Sequence, residues 1–442
     1  VSSALGAFLE DVAATFGDNE ALVSEDGRRF TYAQLLDEAR RVAAGVERGE
    51  RRAIVKRNTP EAVFEIFGVA LEGGVVIPLS TFATKPELEF MTKDCAAGTI
   101  TDDDDAVIIY SSGTTSKPKG MVHSHAAHLH AFRTQADLFG RGPGSRVWSA
   151  FPLFWTAGFD TWMGATLAGG GCLVMQETFE PGEALALMAR ERVTEPYCLP
   201  HQTAALAEHA DWATTDLSAM KQVYGKSAFA RHPKVDGDPH WQNPTGYGMS
   251  ETCAFFAAHR YDTPRETMKR SIGKLLPGNE VRIAEGGELC VKGPTLMKHY
   301  VGKTPDECFD QDGFFHTGDT GHLDAEGNLV FDGRKTEMIK TGGANVSPAE
   351  IEVALRAFAP VKLARIVGVP DARLGEIVVG CIVLKDGAVS TEDDVKEFLR
   401  ERVASYKVPK RVLFFADGEI PMTSSATKVR DEKLIEMVME KL

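Results

Sequence analysis

The feature that most constrains this chain is its alternation of short apolar runs with stretches of helical period. Thr31 to Val46 and Glu61 to Glu72 space their apolar residues as helices do, while Arg52 to Lys56 and Val75 to Leu79 read as short buried strands. Buried strands separated by amphipathic helices predict a mainly parallel α/β sheet. Around Gly273 to Val291 the pattern changes. Close-set strands, Val281-Arg282-Ile283 and Glu288-Leu289-Cys290-Val291, flank a Gly-rich turn and predict a small barrel-like β unit. Beyond Gly333 a helix from Ser347 to Phe358, strands at Val361 to Val369 and Val378 to Leu384, and a helix from Glu392 to Arg402 predict a compact α+β unit. A chain of 442 residues exceeds what one core supports. The expected division is a large domain over residues 1–333 and a small one over 334–442.

Composition narrows the function classes. Against 49 basic residues stand 63 acidic ones, a formal charge of -14 that repels a polyanion, so nucleic acid is not expected as a partner. No apolar run reaches the roughly 20 residues of a membrane-spanning helix. The first residues lack the basic start and apolar stretch of a secretory signal, which favours the cytosol. Seven cysteines occur without a CxxC pair or metal-ligand spacing, which argues for reduced, mostly buried thiols and against a disulfide framework or a zinc site. The acidic run Asp102 to Asp105 reads as a solvated loop face.

The strongest local signal is Ile108-Ile109-Tyr110-Ser111-Ser112-Gly113-Thr114-Thr115-Ser116-Lys117-Pro118-Lys119-Gly120, an apolar strand opening into a loop dense in hydroxyls, glycines and lysines. Backbone N–H groups and hydroxyls in such a loop can wrap phosphate oxygens, and a lysine adds mobile positive charge. It is not the GxxxxGK[ST] loop, because the lysines do not follow the second glycine. Further along come Gly246-Tyr247-Gly248-Met249-Ser250-Glu251-Thr252, Thr317-Gly318-Asp319, Gly333-Arg334-Lys335 and Pro421 to Arg430.

In these motifs and their order, from about Thr31 to Leu434, the chain resembles the adenylate-forming superfamily of acyl-CoA synthetases, adenylation domains and luciferases. The resemblance implies a large ATP- and acid-binding domain and a small, mobile domain that swings between two half-reactions. It implies nucleotide binding by Ser111, Ser112, Gly113, Thr114, Thr115, Lys119, Gly225, Ser227, Tyr247, Gly248, Ser250, Asp319 and Arg334. Tyr247 would stack on adenine, Asp319 would accept both ribose hydroxyls, and Glu251 with Thr114 would hold Mg2+ against the ATP phosphates. Lys335 and Thr336 would form the hinge. Lys428 would bridge the substrate carboxylate and the α-phosphate, while Lys340 with Gly342 and Gly343 would form the face that admits the thiol arm.

Several positions depart from the family pattern. Ser116 replaces a glycine of the phosphate loop, Gly225-Lys226-Ser227 stands where a pair of small residues normally backs the adenine, and Thr427 replaces the glycine before the catalytic lysine. Between Cys95 and Ile108 the chain is too short for the strand and helix expected there, and Val46 to Arg51 is clipped.

Trp155, Phe159, Trp162, Gly248 and Cys253, with Phe229 and Tyr247, are the residues expected to wall the acid, which points to a largely apolar carboxylic acid. Asp160 could greet an ammonium group instead, but its offset fits that role poorly. The leading reading is an acyl- or aryl-CoA ligase using ATP, Mg2+ and coenzyme A. The alternatives are a stand-alone adenylation enzyme that loads a carrier-protein phosphopantetheine and a non-catalytic nucleotide-binding module. Self-association is left open.

Overall fold

Helix starts coincide with the caps written in the sequence. In the computed structural model, which describes residues 5–83, 85–97, 104–111, 118–225, 227–334, 338–341, 344–403, 405–422 and 429–442, the helix Tyr32–Ala43 opens on a reciprocal capping box. Thr31 Oγ1 accepts the Gln34 N–H at 3.2 Å, and Gln34 Oε1 accepts the Thr31 N–H at 2.9 Å. Pro60–Leu71 starts on Thr59 with proline in its first turn, where no intrahelical N–H is lost.

The chain divides into two compact units, one of residues 1–281, 291–315 and 324–329, the other of residues 282–290, 316–323 and 330–442. The first unit holds two five-stranded sheets. One runs, in spatial order, Arg29–Thr31, Glu20–Ser24, Cys172–Met175, Arg146–Ser149, Glu195–Tyr197, parallel except at the Arg29–Thr31 edge. The other runs His299–Tyr300, Lys119–Ser124, Asp105–Ser111, Val75–Pro78, Arg51–Ile54. Here Arg51–Ile54, Val75–Pro78 and Asp105–Ser111 are parallel, while Lys119–Ser124 and His299–Tyr300 are antiparallel additions. The α/β expectation thus holds, with a mixed second sheet. Helices pack their apolar faces on these strands, and Leu22, Leu35, Phe67, Phe132 and Leu173 are completely or almost completely buried. Truncating a leucine such as Leu22 to alanine would cost about 2–5 kcal/mol.

A three-stranded sheet of Gly246–Tyr247, Ala257–Ala258 and Lys274–Leu275 completes the first unit. Most of a four-stranded sheet, ordered Glu280–Ile283, Glu288–Lys292, Phe315–Leu323, Leu329–Arg334, falls in the second unit. There Val361–Asp371 and Gly375–Leu384 form a long antiparallel hairpin, Arg411–Phe415 adds in parallel, and the helices Pro348–Leu355, Glu392–Arg400 and Asp431–Lys441 cover it. No helix among the described residues is long and apolar enough to cross a membrane.

One expectation is corrected. Asp105 is not part of a solvated acidic face: it is 3% exposed, and its Oδ1 lies 2.7 Å from Lys298 Nζ. An apolar strand follows it directly, so its carboxylate is carried into the sheet and needs a cation there.

Candidate active site

The phosphate-type loop is slung between two paired strands. Ser111 opposes Lys119, and Tyr110 opposes Gly120, in the antiparallel Asp105–Ser111 and Lys119–Ser124 pair. Ser112, Gly113, Thr114, Thr115, Ser116 and Lys117 lie outside the described residues, as does the Ser111 side chain. Gly120 faces the Tyr110 ring so closely that an added Cβ would come within 2.8 Å of it, which explains the glycine on the return strand.

Lys119 and Glu251 meet at a residue that sequence reasoning missed. The Tyr300 hydroxyl donates to Glu251 Oε1 at 2.8 Å, and Lys119 Nζ lies 5.7 Å from the centre of the same ring. Burial and the neighbouring Glu251 carboxylate push the Tyr300 phenol above its ordinary pKa, so it stays a donor. Strand His299–Tyr300 brings this about by pairing with Met121 and Val122, while the Met297 N–H binds the Glu251 carbonyl at 2.8 Å. An aromatic residue in a two-residue edge strand carries no pattern by which sequence alone could have found it.

Tyr247 is 7% exposed and pairs with Ala257, and the next residue has no room for a side chain. A Cβ on Gly248 would fall 1.8 Å from the Ala254 carbonyl oxygen, so glycine is required by the turn itself as well as by any ligand. Ser250–Thr252 forms one turn of 3-10 helix, and Cys253 follows at φ 51° and ψ 51°. Gly225 is exposed and lines a recess of about 150 Å3 with Val223, Asp236, Asp238 and Arg265, and the Ser227 hydroxyl donates to the Tyr224 carbonyl at 2.7 Å.

The aromatic residues separate into two groups. Trp155 is half-buried at a corner with Phe151 and Phe154, with ring centres 6.3 and 6.0 Å away. Phe159 and Trp162 are fully buried: Phe159 packs on the His128 ring at 5.0 Å, and Trp162 Nε1 donates to the Val147 carbonyl at 3.0 Å. Phe229 packs on Trp212 in a separate core cluster. Phe159 and Trp162 ride on a π-helix, Ala157–Gly164, a form seen mostly as single turns and often at functional sites. Its Asp160 is wholly buried, with Oδ1 2.6 Å from His128 Nδ1. Burial pushes the Asp160 carboxyl and the Cys253 thiol up and the His123 imidazole down.

In the second unit Asp319 is 3% exposed, and its Oδ1 accepts from Arg334 Nε at 2.9 Å. The Thr317 hydroxyl fixes this turn, accepting the Asp319 N–H and donating to the Leu289 carbonyl at 2.7 Å, and Gly318 adopts a φ of 72°. Lys340 is exposed on the Ile339–Thr341 strand, and its N–H binds Glu376 Oε2 at 2.6 Å. Lys335, Thr336, Gly342, Gly343 and Lys428 lie outside the described residues.

Comparison with known proteins agrees with this layout. Residues 9–101 and 98–301 match the AMP-binding enzyme family, and residues 350–427 match the AMP-binding enzyme C-terminal domain. The first two stretches meet where the sequence lacks room for a further strand and helix. Feruloyl-CoA synthase from an Amycolatopsis species is 28% identical, over 95% of this chain and 96% of its own. Indoleacetate–CoA ligase from Aromatoleum aromaticum is 32% identical over 76% of this chain and 68% of its own. Among solved structures, ATP-bound MatB from Rhodopseudomonas palustris superposes with a TM-score of 0.84 at 26% identity, covering 100% of both chains.

Proposed function

We propose that this chain, which belongs to the AMP-binding enzyme family, activates a largely apolar carboxylic acid as its acyl-AMP and transfers the acyl group to coenzyme A. The observation that carries the reading is the convergence of Lys119 and Glu251 on Tyr300 beside the ends of the phosphate-type loop. A cation and a carboxylate held on two sides of one phenol suit a nucleotide polyphosphate with its magnesium ion. The ammonium meets phosphate oxygens, and the carboxylate, as a hard oxygen donor, meets the metal. The names of relatives that span nearly the whole chain, acid–CoA ligases for aromatic and long-chain acids, support coenzyme A as the acceptor and an apolar acid as the substrate.

Roles follow by chemistry. Residues 111–115 with Lys119 bind the phosphates, Tyr247 and Gly248 bind adenine, and Gly225, Ser227 and Ser250 complete the nucleotide contacts. Asp319 accepts the ribose hydroxyls with Arg334 alongside, and Glu251 with Thr114 holds Mg2+. Trp155, half-buried at its aromatic corner, offers a flat wall to the acid. Lys428 stabilises charge at the α-phosphate, and Lys340, Gly342 and Gly343 serve the thiol step.

The test is a panel of aryl, alkyl and amino acids scored for pyrophosphate exchange and for AMP release that depends on free coenzyme A. Exchange without coenzyme A-dependent release would move the acceptor to a carrier protein, and no exchange with any acid would leave a nucleotide-binding module. Lys428→Ala should lower acyl-AMP formation by about two to three powers of ten while sparing transfer from supplied acyl-AMP. Equal loss of both steps would remove it from the first. Glu251→Gln should raise the magnesium needed for exchange, and superimposable magnesium titrations would mean it is no ligand.

A further inference from the structure

Among the described residues only three other than glycine have a positive φ, and two of them are neighbours, Cys253 at 51° and Ala254 at 75°. Such values are uncommon outside glycine, because the Cβ crowds the backbone carbonyls. The Phe255 N–H reaches the Cys253 carbonyl at 3.2 Å, so Ala254 also stands at the centre of a three-residue turn whose positive-φ form is rare and strained. Two strained residues in succession persist only where their surroundings over-determine them. These two follow Glu251 directly after Thr252.

The group that holds them is Gln135. Its side chain is wholly buried on the helix His125–Phe139, and its Nε2 donates to the Cys253 carbonyl at 2.7 Å. The Thr161 hydroxyl, on the π-helix Ala157–Gly164, donates to Gln135 Oε1 at 2.6 Å. A side-chain amide accepts at one end and donates at the other, so a hydroxyl on its oxygen turns the NH2 toward the carbonyl. Gln135 thus ties the strained turn to two buried elements. On its other side the turn is held at Glu251 itself, whose carbonyl accepts the Met297 N–H at 2.8 Å and whose Oε1 accepts the Tyr300 hydroxyl at 2.8 Å. Between the two anchors lies a single 3-10 turn, closed by the Thr252 and Ala254 N–H groups on the Met249 carbonyl at 3.1 and 3.2 Å. Without the Gln135 amide, the Cys253 carbonyl would keep only the longer bond from Phe255, and the strain would favour relaxation.

We propose that Gln135 is a positioning residue for Glu251: by holding the Cys253 carbonyl it keeps Cys253 and Ala254 left-handed, and that conformation sets where the Glu251 carboxylate meets the metal. The inference deepens the reaction proposed above and rests on Glu251 as its magnesium ligand. Magnesium demands near-ideal octahedral geometry, so a carboxylate displaced by a relaxing turn loses affinity for it even with its charge unchanged. Ala254→Gly supplies the means to separate position from packing. It permits the same φ without strain, removes the drive to relax, and so makes the Gln135 tether dispensable.

The experiment measures binding of Mn2+, an ion that carboxylate sites take as they take Mg2+, to the full chain with ATP, by electron paramagnetic resonance. A magnesium titration of pyrophosphate exchange runs beside it, and near-ultraviolet circular dichroism checks the folding of every variant. Gln135→Leu should weaken Mn2+ binding about 3–10-fold, the worth of one hydrogen bond, in the same direction as Glu251→Gln. Combined with Glu251→Gln it should add nothing, because both act on one contact. Ala254→Gly alone should bind as wild type does and, in the Gln135→Leu protein, should restore most of the lost affinity. Leu206→Ala, in a separate core cluster, should lower stability and leave Mn2+ binding unchanged. Thr161→Val, which takes the donor from the Gln135 oxygen, should weaken binding about 2–3-fold and carries the test if Gln135→Leu does not fold. Full affinity in the folded Gln135→Leu or Thr161→Val protein, an additive double variant, or no rescue by Ala254→Gly would each overturn the proposal. If Glu251→Gln itself leaves Mn2+ binding unchanged, the metal-ligand reading falls, and the positioning role with it.

Discussion

Two buried polar pairs meet the π-helix at consecutive residues and are treated in opposite ways. Beside Thr161, Arg141 and Glu195 form a two-pronged ion pair, with Nε to Oε2 at 2.9 Å and Nη2 to Oε1 at 2.6 Å. The guanidinium also donates to the Thr161 carbonyl and to Thr166 Oγ1, and it stacks 4.6 Å from the centre of the Phe139 ring. Beside it, Asp160 meets His128 through one oxygen only, and His123 Nε2, His128 Nε2 and Asp160 Oδ2 lack partners among the described residues. Burial is equal, since Arg141 and Glu195 are 0% and 2% exposed at the side chain and His128 and Asp160 both 0%. The difference is completeness. A saturated buried pair holds the fold and has no capacity for a ligand, whereas an unsaturated one carries a desolvation cost that only a further partner removes.

The largest effect should come from the saturated pair. Glu195→Gln leaves the buried guanidinium without its counter-charge and should cost about 3–5 kcal/mol in urea unfolding. Replacing both partners, as Arg141→Met with Glu195→Met, should cost less than Glu195→Gln alone; a larger loss would show that the pair itself, rather than its imbalance, holds the region. The unsaturated cluster should be softer. Asp160→Asn should cost only about 1–3 kcal/mol, because a single hydrogen bond is at stake. A loss equal to that of Glu195→Gln would erase the distinction. Tyr300 offers an intermediate case, one hydrogen bond at a half-buried site. Tyr300→Phe should cost about 0.5–1.5 kcal/mol in stability and slow pyrophosphate exchange less than Glu251→Gln does. An exchange rate matching that of Glu251→Gln would mean that the phenol, too, touches the reacting phosphates.

What could be read from the sequence is what short-range chemistry dictates. The helix at Tyr32–Ala43 was legible because period and capping box lie within one stretch of chain, and the Asp319 turn because Thr-Gly-Asp names its own conformation. Spacing rules failed where partners are distant. Cys253 meets His123 across 130 residues and His128 across 125, so no count of CxxC pairs could have joined them. Tyr300 reaches Glu251 across 49 residues through a strand of two residues, and Asp105 finds Lys298 across 193. Nor did the Ala157–Gly164 stretch announce a π-helix, since its composition suits an α-helix equally well.

That extra-wide turn has a consequence for how such a protein diversifies. In an α-helix each residue advances the side-chain direction by about 100°, and a π turn accommodates one residue more than its α counterpart. Loss of a single codon between Thr156 and Asp160 would therefore relax the π turn to an α turn and leave the later side chains of the segment facing as they do now. Trp162 would stay at the Val147 carbonyl and the Asp160 carboxylate at His128. A one-residue change in length is therefore absorbed at this turn, and the inner surface beyond it stays in register.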